Sequence, residues 1–88
     1  DFYKRFEEKL QKSQAWPGPY LFKFIIKSDS DHFTTLQSIF EGKNAQWKKK
    51  SSTKKTFVSV SVYVEMENPQ EIIALYKKVS LLEGIISL

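Results

Sequence analysis

The sequence predicts an α+β domain in which an antiparallel sheet carries two helices on one face. Three observations predict it. Residues 56–65 place valine at every even position from Val58 to Val64, with Ser59 and Ser61 between them, and alternation with period two over that length marks a strand with one buried face. Residues 20–27 repeat the pattern with Phe22, Phe24 and Ile26. Each of these strands leads on to a stretch with apolar residues at helical spacing: Phe33, Leu36, Ile39 and Phe40 in one, Ile72, Leu75, Tyr76 and Val79 in the other.

Taken in order, the chain opens with Phe2, Phe6 and Leu10 at intervals of four among charged residues, which predicts an amphipathic helix within residues 1–14. Ala15-Trp16-Pro17-Gly18-Pro19 ends it, because two prolines around a glycine exclude helix and make a stiff corner. The strand at 20–27 then turns Leu21, Lys23, Ile25 and Lys27 away from the core. Ser28-Asp29-Ser30-Asp31 offers N-cap chemistry for the next helix, and Gly42 supplies its stop. Residues 45–50, around Trp47, are shorter and more polar and suit an edge strand guarded by lysine. Ser51-Ser52-Thr53-Lys54-Lys55 turns the chain into the valine strand, whose outer row holds Phe57 and Tyr63 beside Ser59 and Ser61. Asn68-Pro69-Gln70-Glu71 combines an N-cap, a proline at the first helical position and a glutamate placed for a capping box. Gly84 closes that helix region, and residues 85–88 form a short last strand.

After the first helix the order is therefore strand, helix, strand, strand, helix, strand, the ferredoxin-like βαββαβ plan. Residues 1–88 make one domain, with the core in 20–88 and the strands at 20–27 and 56–65 as its central pair. The chain has no cysteine, which excludes disulfides, thiolate metal sites and thiol nucleophiles and suits a reducing cytoplasm. No apolar run approaches the ~20 residues that span a bilayer, and no signal-peptide pattern is present, so a membrane is not expected as a partner. The net charge of +4 is local: Lys43, Lys48, Lys49, Lys50, Lys54 and Lys55 lie in one stretch without an acid, and the other residues sum to −2.

Trp16-Pro17-Gly18-Pro19-Tyr20 before Phe22-Lys23, Ser51-Ser52 before Ser59-Val60-Ser61-Val62, Leu75-Tyr76 and Gly84-Ile85 together resemble the YbeD-like family of small bacterial proteins. The resemblance implies a ferredoxin-like fold similar to the ACT regulatory domains, which bind amino acids at subunit interfaces and control metabolic enzymes. It implies no catalytic residues. Amino-acid effector binding is disfavoured here, because the junction Lys27-Ser28-Asp29-Ser30-Asp31-His32 lacks the glycine of such sites and already carries negative charge.

The residue types exclude most chemistry. His32 is the only histidine, and capping accounts for it and for Asp29 and Asp31 better than a metal does. Glu65, Glu67 and Glu71 read as solvated acids near a helix start, and Ser59 and Ser61 as exposed strand positions. Neither an enzyme nor a cofactor is expected. The expected function is a regulatory or protein-interaction domain of ACT-like architecture, monomeric or homodimeric, with an unidentified protein partner. The alternative is a nucleic-acid module that uses Lys48, Lys49, Lys50, Lys54 and Lys55 on the hairpin. On the outer sheet face, Leu21, Ile25, Phe57 and Tyr63, with Ile85, would make an apolar patch that monomers rarely leave open. Either the N-terminal helix or a second subunit could cover that face, and the helix is expected to do so, with Phe2, Phe6, Leu10 and Trp16 inward.

Overall fold

Asp1 caps the first helix, α1, which runs Phe2–Ser13, by accepting the Tyr3 N–H at 3.1 Å. The computed structural model describes residues 1–88. Strand β1 follows at Gly18–Lys27, α2 at His32–Ile39, β2 at Gln46–Ser51, β3 at Phe57–Met66, α3 at Pro69–Ser80 and β4 at Ile86–Ser87. The four strands are antiparallel and lie in the order β2-β3-β1-β4, consistent with a ferredoxin-like fold. No helix is long and apolar enough to cross a membrane.

The central pair joins β1 to β3 from Gly18 opposite Met66 to Lys27 opposite Phe57. Alternation along both strands sends Phe22, Phe24, Ile26, Val60, Val62, Val64 and Met66 to one face, where Leu36 of α2 and Ile72, Leu75 and Val79 of α3 bury them. Phe22 is the hub of an aromatic cluster, with ring centroids 5.0 Å from Phe40 and 5.1 Å from Tyr76. Pro19 extends β1 beyond the expected start at residue 20. Proline is tolerated where its missing donor faces an unpaired edge, and the Pro19 carbonyl takes the Gln14 Nε2 at 2.9 Å.

Helix α3 starts as its sequence requires: the Asn68 side chain accepts the Glu71 N–H at 2.9 Å, and Glu71 Oε1 accepts the Glu67 N–H at 3.0 Å. Asn68→Ala is expected to cost about 0.5–2 kcal/mol of stability, read as a lower urea midpoint at unchanged slope. Helix α2 differs from expectation. Asp31 stands at its N-cap without a side-chain bond to the helix, because its φ of −94° and ψ of 15° depart from the extended geometry that aims a cap oxygen. Ser30 takes part of the role, its Oγ accepting the His32 N–H at 3.4 Å and donating to the Lys27 carbonyl at 2.7 Å.

The position of α1 corrects a second expectation. It does not cover the outer sheet face but lies along α3. The Phe6 ring is 5.5 Å from Tyr76, Gln70 donates to Glu7 at 3.0 Å, and the Lys77 ammonium sits 5.1 Å from the Tyr3 ring centroid. An amphipathic stripe fits either surface; the corner after the helix decides between them. Trp16 Nε1 donates to the Leu10 carbonyl at 3.0 Å, which folds the corner back on the helix end and leaves Leu10 only 6% exposed within the common core.

Candidate interaction face of the sheet

The odd positions of β1 and β3 and the even positions of β2 form the face turned away from the helices, and the strand register arranges them in rows. Ile86, Ile25, Ser59 and Lys50 make one row across the sheet, and Lys23, Ser61 and Lys48 the next. Leu21, Tyr63 and Gln46 make a third, and Lys27 stands opposite Phe57. Phe57, Tyr63 and Ile86 are 43%, 51% and 55% exposed, while Leu21, Ile25, Ser59 and Ser61 are half-buried. The charges on this face are Lys23, Lys27, Lys48 and Lys50, with Glu65 at one end opposite Pro19. None of these lysines is in an ion pair, since the molecule's single one joins Lys43 to Glu71 at 3.2 Å.

The five lysines of the hairpin are therefore not one patch. Lys48 and Lys50 lie on the open face, whereas Lys49 is opposite Val60 and turns to the helical side, its ammonium 4.2 Å from the Phe33 ring centroid. Lys54 and Lys55 lie in the connecting turn. Ser52 closes that turn by donating its N–H to the Phe57 carbonyl at 2.9 Å and accepting the Phe57 N–H on its Oγ at 3.2 Å. Lys55 has a φ of 56°, and its carbonyl accepts from the Ser28 hydroxyl. A depression of about 280 Å³ between Phe57, Ile25, Lys50 and the turn hydroxyls joins the loop to the face. Leu21, Ile25, Phe57 and Tyr63 sit where alternation predicts. Their apolar neighbour is Ile86 rather than Ile85, which packs against the core, because β4 pairs with Ile86 opposite Ile25. Lys23 and Lys27 were legible as outer-face residues, but only the register sets them beside Lys48 and Lys50.

Two of the other concavities lie beside α1 and α3. Phe2, Tyr3 and Phe6 of α1, with Tyr20 and Tyr76, line an aromatic cleft of about 460 Å³ in which the two tyrosine hydroxyls are 3.1 Å apart. Burial, and then the Tyr20 hydroxyl, raise the Tyr76 phenol above the ordinary tyrosine value. With a folded pKa above the unfolded one, its contribution is fully present below about pH 10 and is lost as pH rises beyond it. The urea midpoint should fall between about pH 9 and about pH 11 more in the wild type than in Tyr76→Phe, by less than the ~1.4 kcal/mol per pH unit of a fully shielded group, since solvent screens a half-buried ring. The second concavity, about 330 Å³, holds Lys43 and the carboxylates of Glu65, Glu67 and Glu71. Partial burial raises the Glu71 carboxyl, but the Glu67 N–H and the Lys43 ammonium outweigh it and hold it below the usual carboxylate value. No group of three or more acidic or histidine side chains there is arranged to hold a metal.

In a comparison with protein families, residues 11–87 match Protein of unknown function (DUF493). The chain belongs to this family. Every residue of the open face falls inside the DUF493 match, whereas Phe2, Tyr3 and Phe6, one wall of the aromatic cleft, lie before it. No curated protein and no solved structure matches the chain.

Proposed function

We propose that the chain is a small non-enzymatic binding domain and that its working surface is the open face of the sheet. The observation that carries this is the docking of α1 on α3, which leaves Leu21, Ile25, Phe57, Tyr63 and Ile86 without a cover from within the chain. Exposed apolar side chains of this kind, in two groups on either side of the Lys23, Ser61 and Lys48 row, mark a site of interaction on a small domain. The absence of catalysis from this reading rests on residue chemistry: the one histidine, His32, is wedged against Gly84, and Ser59 and Ser61 stand opposite Ile25 and lysines with no histidine or carboxylate beside them. A YbeD-like, ACT-like kinship is our finer reading of the family, and a cysteine-free chain suits action in the cytoplasm.

The test is capture of the tagged protein's partners from native extract, with and without nuclease. The variants are a Tyr63→Glu, Ile86→Glu face variant and a Leu81→Glu control, all at positions at least half exposed. A partner lost from the face variant and kept by the control is the expected result. A partner that the face variant retains would place the working surface elsewhere.

A further inference from the structure

We infer that the partner of the open face is single-stranded nucleic acid, a reading that rests on the face being the working surface. Charge selects the class of partner first. The face presents Lys23, Lys27, Lys48 and Lys50 unpaired, against Glu65 alone at its end. A second copy applied face to face would set each copy's lysines against the other's, and such repulsion excludes like partners. An anionic partner would meet four ammonium groups and find Lys54 and Lys55 in the adjoining turn.

Shape then separates nucleic acid from an acidic peptide. An amphipathic peptide helix needs an apolar groove. The outer row of the central strand β3 is instead Phe57, Ser59, Ser61 and Tyr63, two exposed rings with a hydroxyl floor between them. An added peptide strand would use a sheet edge and leave the rings unused. Unpaired bases stack on exposed aromatic rings whatever their sequence, while flanking cations track the phosphates. The geometry has this form: Lys23 and Lys48 stand on either side of Ser61, about 10 Å apart across three strands, and Lys50 and Lys27 flank the Phe57 end. Ser59 and Ser61 lie on the floor, within reach of base edges or a ribose hydroxyl. Stacking on Phe57 and Tyr63 requires bases that are not paired, which sets duplexes aside.

The test is fluorescence anisotropy of the purified full chain with oligo(U) RNA and oligo(dT) DNA of about ten nucleotides, within the ~4–16 that single-strand sites occupy. Each is compared with a duplex of the same length and with polyglutamate. Engagement of the four face lysines predicts a slope of log K against log salt near −3, at about 0.7 per neutralised phosphate of a single strand. The variant Lys48→Ser with Lys50→Ser should flatten it by about 1.4. Lys49→Ser should leave it unchanged, because that ammonium points to the other side. Phe57→Ser and Tyr63→Ser should each weaken binding about 5- to 150-fold, with thermal unfolding unchanged since both rings are exposed. Preference for RNA over DNA would assign the serines to the ribose hydroxyl, and equal binding would assign recognition to stacking and charge alone; both support the inference.

A salt slope flattened by Lys49→Ser half as much as by the Lys48→Ser, Lys50→Ser pair would overturn it in favour of diffuse net charge. Polyglutamate bound as tightly, or duplex preferred, would overturn it as well. If no oligonucleotide binds while the Tyr63→Glu, Ile86→Glu variant loses a protein partner, the open face keeps its role and only the nucleic-acid assignment falls.

Discussion

Phe22→Ala is expected to lower stability by about 3–5 kcal/mol, a large part of the ~5–15 kcal/mol that a domain of this size holds in total. The ring is inaccessible to solvent and is packed against Tyr20, Phe24, Phe40 and Tyr76, with the nearest centroid at 4.8 Å. Its loss removes transfer free energy and leaves a cavity at the junction of β1, α2 and α3, where the surrounding rings cannot collapse without abandoning their edge-to-face contacts. Urea denaturation followed by tryptophan fluorescence reads the change, with Tyr63→Ser on the open face as its counterpart at within about 0.5 kcal/mol. A shift below about 1 kcal/mol for Phe22→Ala would mean that the aromatic cluster is not the domain's main core.

Leu10→Ala is expected to cost about 2–5 kcal/mol, although the residue belongs to a terminal helix whose other apolar side chains are partly exposed. Leu10 is the point at which α1 enters the common core, and its carbonyl holds Trp16 at the corner that leads into β1. The substitution should loosen α1 from α3, so hydrogen exchange should quicken in both helices before it quickens in the central strands. Protection unchanged in α3, together with new exposure of Tyr63 and Phe57, would instead put α1 on the outer sheet face. This experiment also bears on the binding surface, because only a helix seated on α3 leaves that face free.

Much of the fold is legible in particular residues. The valines of β3 and the phenylalanines of β1 announce their pleat, and Asn68-Pro69 announces α3, because these are local effects settled within a few residues of chain. The register that sets Lys23 beside Ser61 and Lys48 is not local, since it joins three strands distant in sequence. Alternation puts a lysine on one side or the other of its own strand and says nothing about its neighbours across the sheet. The five hairpin lysines thus look like one cluster in the sequence and divide in space, with Lys49 on the helical side. The α2 cap misled for a related reason: four residues of cap chemistry name the helix start but not which side chain the backbone torsions will aim.

Local features of the chain specify the inventory of elements, the buried face of each central strand, the local excess of positive charge, and the exclusion of thiol chemistry. All of these follow from periodicity and composition. Long-range packing sets where α1 goes, and with it whether Leu21, Ile25, Phe57 and Tyr63 are core or surface. The physical reason is that an amphipathic stripe specifies that a helix must be buried, not against what. Phe6 and Leu10 would be removed from water on either face of the sheet, and the choice lay with contacts made at a distance: Trp16 on the Leu10 carbonyl, and Phe6 on a Tyr76 ring already anchored in the core.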